Sequence, residues 1–598
     1  MNQKLRSELS DEYKWDLTKI YSNKELFEKD IEKANGRINE IKNLKNIMEN
    51  AESLYDCLNK QYETARLLDK LYMYSHLSLD EDTTNTKSQE MVGKLKNLYK
   101  DFDEATSFIR PTLLKYDYSK IENFYENCVK LKEYEVVLKD IYRYKNHTLS
   151  ENEEKIVSNL SKALSSSSST YENLTDSDMF FGKIKDEENN EIELTSSNYS
   201  KYLKSKDRRV RKEAFDLMYK TYSQFKNTIT STYSGDIEVN CELAKIYNFK
   251  SALEASLFSD DINVEVYDNL IKTVSNNLEP LYKYYKLKKE VLDLEELHLY
   301  DTYVSVVPED SKEYSFEEAK NLVKTALSVL GNKYTKDLDK AFEEKWIDVY
   351  NNKGKRSGAY SSGSYDTNPY VLLNYEGTLN DVSTLAHELG HSMHSYYSRC
   401  NNSYQNSNYK IFVAEVASTV NELLLAFYQL NNTNDKTEKL TILNNLLDLF
   451  KATIYRQTMF AEFEKEVYKK HENNEILTYE VLNDLYYKLN KKYFGENVIV
   501  DEYIKYEWER IPHFYYNFYV YKYATGLSAA CYIVDNILKN ENNMKEKYLK
   551  FLTLGGSMSP LDELKVMGID MTDSIVVESA IKMFDKILNE FQELLLEK

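Results

Sequence analysis

Residues 384–394 read TLAHELGHSMH, and residues 411–427, a little downstream, read IFVAEVASTVNELLLAF. In the first stretch His387, Glu388 and His391 form an HExxH motif. Positions i and i+4 share one face of a helix, so the pattern predicts a helix that turns both imidazoles toward one ion. Glu388 lies about 100° round from His387, which aims its carboxylate at the water to be activated and away from the ion. The second stretch predicts another helix, apolar enough to be a core element. A mainly α fold organised about a metal follows from these two segments.

A catalytic zinc takes three protein ligands and keeps a fourth position open. No Asp or Glu occurs between Ser392 and Ala414, and Glu415 is the first acid downstream. A carboxylate in so apolar a segment needs a cation or a dense set of donors, and a metal meets that need. Glu422, two turns further along the same face, is placed to orient a ligand histidine. A metzincin requires histidine where Tyr397 stands, and an aminopeptidase-like spacing requires glutamate where Lys410 stands, so both are excluded. The spacing HExxH-x23-E remains. It predicts His387, His391 and Glu415 as ligands of one Zn2+ per chain. His394 reads as support or packing, and His76, His147, His298 and His471, which have no partner pattern, read as structural.

The whole chain has 598 residues, too many for one core, which predicts two or more subdomains. Fifteen glycines and six prolines leave little room for flexible linkers and favour helices. A net charge of -20 repels phosphate backbones, so nucleic acid is not expected as a partner. Five scattered cysteines without a CxxC pair suit reduced thiols. No apolar signal core opens the chain and no run approaches a membrane span, so the expected location is cytoplasmic and no membrane partner is expected. The 53 tyrosines look like a compositional bias.

Residues 1–195 read as an N-terminal helical lobe. The serine run at 165–169 keeps helical flanks without Gly or Pro, which predicts a solvated helix face or a short break rather than a linker. FFGKIKDEENNEIEL, at 180–194, predicts a hairpin and a boundary, after which 196–598 would form the catalytic domain. Residues 354–377 hold four glycines, which predicts a few strands. Toward the C-terminus, IPHFYYNFYVYKYATG at 511–526 places Tyr516, Tyr519 and Tyr523 at helical spacing, as one hydroxyl-bearing stripe behind His513. Such a stripe is core in most proteins, and Tyr519 is assigned to packing.

Taken together, TLAHELGHSMH, FVAEVASTVNELLL and IPHFYYNFYVYKYATG resemble the oligoendopeptidase F branch of the thimet-oligopeptidase-like zinc metallopeptidases. The likeness extends through LHLYDTY (297–303), DRRVRKEAF (207–215) and WDLTKIY (15–21), nearly the whole chain. It implies two helical lobes enclosing a deep substrate channel, with a small β-sheet beside the active-site helix. It also implies cleavage of oligopeptides and not of folded proteins. His387, His391 and Glu415 match the family's zinc ligands and Glu388 its general base. Tyr516 and Tyr523 match the tyrosine pair that contacts the reacting carbonyl, and His513 the histidine before it. The thimet branch has a glycine-rich loop between that histidine and the first tyrosine, where this chain has only Phe514 and Tyr515.

The expected activity is zinc-dependent hydrolysis of internal bonds in short unfolded peptides, by a monomer or weak oligomer. An extended substrate would add a strand beside GKRSGAYSSG (354–363), at Gly358, Ala359 and Tyr360. Competing possibilities are a peptidyl-dipeptidase of the same fold, a catalytically silent peptide-binding scaffold and a structural zinc. The intact Glu388 argues against the scaffold, and the count of three ligands argues against a closed structural site.

Overall fold

The computed structural model describes residues 4–44, 46–307 and 312–597. Helices take 71% of it, with only small sheets, as the glycine-poor composition predicts. Spatial proximity gathers the chain into two compact units of three segments each. The first joins Met1–Thr148, Lys312–Tyr428 and Ile533–Ile569; the second joins Leu149–Ser311, Gln429–Tyr532 and Asp570–Lys598. These units cut the chain elsewhere than the expected 195/196 boundary. The predicted hairpin exists, pairing Lys183–Lys185 antiparallel with Glu191–Glu193, but it lies inside the second unit. The serine run is a short break at Ser165 between helices Glu151–Leu164 and Ser166–Asn173.

In the first unit, a 31-residue helix α1 (Ala51–Glu81) buries Leu54, Leu58, Leu67, Leu68 and Leu71 at three- and four-residue spacing. Beside it lies a three-stranded sheet, β1 (Ile347–Asp348), β2 (Tyr360–Ser362) and β3 (Tyr370–Leu372), in the order β1-β3-β2. Strand β3 runs parallel to β1 and antiparallel to β2. Tyr370 and Leu372 are buried in the same apolar cluster as Phe27, Ile38, Leu68, Leu71 and Leu98. That shared core explains why the N-terminal helices and the sheet belong to one unit although some 200 residues separate them in sequence.

The chain then enters α2 (Leu379–Asn401), the helix predicted by HExxH. A reciprocal cap starts it: Thr378 Oγ1 accepts from Asp381 N–H, and Asp381 Oδ2 accepts from Thr378 N–H. Helix α3 (Ile411–Asn432) follows. It is the one described helix long and apolar enough to cross a membrane, and 61% of its apolar window is buried inside the protein.

The second unit is built on a 39-residue helix, Arg208–Ile246, whose buried face carries Phe215, Met218, Tyr222, Ile229, Tyr233 and Ile237. Arg208 and Arg211 at its start reach Asp301 at 2.9 and 2.7 Å, joining the DRRVRKEAF and LHLYDTY segments through a fully buried carboxylate. Of the twelve largest fully buried side chains in the described residues, eleven are tyrosines. Among the described tyrosines only Tyr72, Tyr116, Tyr503 and Tyr516 are exposed, which makes an exposed tyrosine the unusual one. No disulfide joins any of the described cysteines.

Candidate metal centre

Helices α2 and α3 meet at Gly390. A β-carbon there would lie 2.6 Å from both the Ala417 carbonyl oxygen and the Ser418 Cα, so only glycine permits this crossing. Asn421, the one amide in the apolar run of α3, donates from Nδ2 to the Ala386 carbonyl at 3.1 Å and fixes the register. The crossing brings the acid of one helix to the histidines of the other. Glu415 Oε2 lies 3.4 Å from His387 Nε2 and 3.4 Å from His391 Nε2. The three ligand atoms all fall within 4.8 Å of one another, the one group of its kind among the described residues.

The surrounding groups orient these atoms. His387 Nδ1 lies 3.3 Å from Glu422 Oε2, so its Nε2 is left facing Glu415. Ser383 Oγ donates to the other Glu422 oxygen at 3.3 Å. Ser418 Oγ donates to Glu415 Oε2 at 2.9 Å. Glu388 is only 7% exposed, and no described residue forms an ion pair with it. Burial raises its proton affinity, although both imidazoles pull the other way. Glu415 differs from expectation. Its helix is buried, but its side chain is 43% exposed, on the open side of the crossing. His394 is packing: it is fully buried and its ring stacks 3.7 Å from that of Tyr409.

The donor set fits a cation. Burial alone would lower the His387 pKa, but hydrogen bonding and attraction to Glu422, with Glu388 and Glu415 adding to it, lift it to about 9. Burial likewise works against ionisation of Glu415, yet the two imidazoles hold its pKa down at about 2. Two nitrogens and one carboxylate oxygen facing a common point suit a borderline metal such as zinc.

The sheet lies against this centre. Ser361 Oγ meets Ser392 Oγ of α2 at 2.8 Å, while Tyr360 OH donates to Asp80 of α1 at 2.6 Å. Val371 N–H donates to Trp346 and Leu373 N–H to Asp348. Val371, opposite Ser361, thus spends its hydrogen bonds on β1, and Ser361 turns its own N–H and C=O away from β3. No described strand pairs with that side of β2. Gly358 and Ala359 precede the strand and line a pocket with Asn374, Asp381 and Thr384.

The second unit holds the other expected group, and there the helical stripe is wrong. Pro512–Tyr516 is a short 3-10 turn, Asn517 and Phe518 are left-handed, and the α-helix begins only at Tyr521. The rings still gather around His513, with centroids at 5.6 Å for Tyr516, 6.3 Å for Tyr519 and 6.1 Å for Tyr523. Tyr523 OH lies 3.4 Å from His513 Nε2, and burial lowers the proton affinity of that ring. Tyr516 is 53% exposed. Sequence reasoning missed Gly390, Ser418, Asn421 and Ser361; the amide within the apolar run of α3 was the one readable signal among them.

Two histidines and a glutamate converging on one point, with a buried carboxylate beside them and a helical scaffold around them, define a metallohydrolase of the HExxH type. Comparison with known proteins narrows this class. The model described as Peptidase family M3 matches residues 201–583, and that described as Oligopeptidase F matches residues 113–181. Oligopeptidase PepF of Bacillus subtilis is 44% identical over 99% of this chain and 88% of its own length. Group B oligopeptidase PepB of Streptococcus agalactiae is 39% identical over 98% of each. The solved oligoendopeptidase-F of Enterococcus faecium superposes with a TM-score of 0.74 at 34% identity, covering 96% of this chain and 99% of its own. A solved Chlamydophila abortus chain reaches 0.92 at 38%, covering 99% and 100%. The chain belongs to peptidase family M3 and is a metalloendopeptidase acting on oligopeptides.

Proposed function

We propose that this enzyme hydrolyses internal bonds of short, unfolded peptides with one zinc ion held by His387, His391 and Glu415, and with Glu388 as general base. The observation that carries this is the convergence of the three ligand atoms within 4.8 Å of one another. Zinc, when bound, supplies Lewis acidity toward a water and toward the substrate carbonyl. Glu388 accepts the proton of the attacking water and returns it to the departing amine. Its buried setting, which raises its proton affinity, suits a group that must hold that proton between two steps. By holding Nδ1, Glu422 keeps the His387 ring turned so that Nε2 is the ligand atom.

Tyr516, Tyr523 and His513 are assigned as donors to the developing oxyanion. This assignment rests on the family likeness; the 53% exposure of Tyr516, in a chain with few exposed tyrosines, supports it. The substrate lies extended along β2 and pairs with the outward N–H and C=O of Ser361, with Gly358, Ala359 and Tyr360 flanking it. Main-chain pairing accepts many sequences. We further assign the enzyme to the cytoplasm, where thiols outside disulfides stay reduced, as a monomer or weak oligomer.

The test is Glu388→Gln in the full chain, assayed for metal content and for turnover of a quenched peptide. Retained zinc with kcat lowered by about 10²–10⁴ is expected. Wild-type turnover by the variant, or active protein without a transition metal, would refute the proposal.

A further inference from the structure

The segment between His513 and Tyr523 has uncommon backbone. Asn517 and Phe518 are consecutive left-handed residues, with φ of +47° and +58°. Asparagine tolerates this region, whereas a bulky residue is strained there by about 1–2 kcal/mol. Among the described residues with positive φ, apart from glycine, Phe518 is the one aromatic. Strained backbone persists only where its surroundings over-determine it.

Three restraints act on this pair, all within the second unit. The Phe518 ring is 1% exposed and packs 4.5 Å from Tyr468 and 5.7 Å from Tyr267. Ser256 Oγ donates to the Asn517 carbonyl at 2.6 Å. Glu464, on helix Arg456–Glu472, accepts from Phe518 N–H through Oε1 at 2.6 Å. Glu464 is fully buried, and its Oε2 has no hydrogen-bond partner. Burial lifts its pKa to about 8, opposed by the Phe518 N–H, so at neutral pH it is an uncharged acid. A leucine would be cheaper to bury. What glutamate adds is an acceptor for an N–H that the left-handed turn points inward.

We propose that Glu464 is a positioning residue for catalysis, which clamps Phe518 N–H and thereby holds the turn that presents Tyr516 outward beside His513. This rests on the proposed role of Tyr516 and His513 toward the reacting carbonyl. The clamp replaces what a glycine-rich segment would provide elsewhere: left-handed backbone, here imposed on a phenylalanine by a buried acceptor.

The uncharged acid and glutamine have the same shape and the same accepting oxygen, whereas leucine has no acceptor. The test therefore compares Glu464→Gln, Glu464→Leu and Ser256→Ala in the metal-loaded full chain, measuring kcat, KM, zinc content and thermal midpoint. Glu464→Gln is expected within about 3-fold of wild-type kcat. Glu464→Leu should lower kcat about 10- to 100-fold with zinc retained and KM within about 2-fold, as for loss of one positioned donor. Ser256→Ala, which removes the lesser restraint, should lower kcat about 2- to 5-fold without altering KM. Tyr516→Phe added to Glu464→Leu should cost little more, because the displaced hydroxyl is already lost. Equal losses in the Gln and Leu variants, or wild-type kcat in Glu464→Leu while Tyr516→Phe is impaired, overturn the clamp. If Glu464→Leu does not fold, unchanged kcat in Ser256→Ala or a 10-fold loss in Glu464→Gln overturns it. Wild-type kcat in both Tyr516→Phe and His513→Ala would instead overturn the role assigned to the turn.

Discussion

Gly390→Ala is the smallest change expected to dismantle the metal centre without touching a ligand. The added β-carbon would sit 2.6 Å from the Ala417 carbonyl oxygen and from the Ser418 Cα. Ordinary contact begins at 3.4 Å, so the shortfall is 3.4 minus 2.6, or about 0.8 Å. The atoms it meets are backbone, and no side-chain rotation relieves the clash. Helix α3 has to move away from α2, and Glu415, two residues before Ala417, moves with it. Metal–ligand distances tolerate about 0.2 Å, roughly a quarter of that displacement. Zinc affinity should fall by at least the roughly 10- to 100-fold seen when supporting groups are lost. Overpacking should cost about 1–3 kcal/mol of stability. The assay is zinc retention against a chelator series, with circular dichroism and peptide turnover measured on the same samples; excess zinc should restore part of the turnover. Gly93→Ala is the control. It lies in helix Thr86–Thr106 with nothing within 4 Å of its added carbon, and should stabilise by up to about 1 kcal/mol. A Gly390→Ala enzyme that binds zinc and turns over like wild type would refute the account of the helix crossing.

Other outcomes follow from the same geometry. Zinc binding to metal-free protein at pH 7.5 should release close to one proton, because His387 holds one with a pKa of about 9; affinity should therefore rise with pH up to that value, and calorimetry in buffers of different ionisation enthalpy reads it. Glu509 is fully buried, neither of its oxygens has a partner, and burial lifts its pKa to about 9. The folded state thus keeps a proton that the unfolded state has lost above pH 4.5, and the contribution of Glu509 to stability should fall by about 1.4 kcal/mol per pH unit from there to about pH 9. Melting at pH 6.5 and 8.5 should show a drop that Glu509→Gln makes smaller, buried Glu464 and Glu563 supplying the rest, and an identical drop in both proteins would count against this. Ser361→Pro removes the outward N–H of β2 and should raise KM several-fold at unchanged zinc content, whereas Ser361→Ala should not; equal KM values for the two would remove the edge strand from substrate binding.

The convergence of His387, His391 and Glu415 was legible in the sequence because its signal is local. Two histidines four apart state their own geometry, and an acid-free interval of 23 residues after His391 left Glu415 as the next candidate. Helical content was legible too, from scarce glycine and three- to four-residue apolar spacing. The gathering of distant segments into one compact unit was not, because Tyr370 and Leu372 complete a core begun by Phe27 and Ile38, and no local pattern announces a partner so far away. The tyrosine stripe failed for a related reason. Its i, i+3, i+7 spacing is real, yet Asn517 and Phe518 leave the helical region, and the acceptor that holds them there, Glu464, lies some 50 residues earlier.

These failures share one physical cause, and it separates what a site does from what holds it. Reacting groups carry distinctive chemistry, so a short motif names them. Supporting groups carry ordinary chemistry in unusual places: a glycine where two backbones touch, a serine beside a ligand oxygen, an asparagine between helices, a glutamic acid with no cation. Each is defined by the atom it faces, and those atoms come from other segments. In this chain the crossing at Gly390, the Asn421–Ala386 bond and the Ser418–Glu415 bond all act on the same quantity, the position of one carboxylate relative to two imidazoles. A metal centre whose ligands come from two helices is only as well defined as the packing between them. The precision of the chemistry therefore resides in residues that have no chemistry of their own.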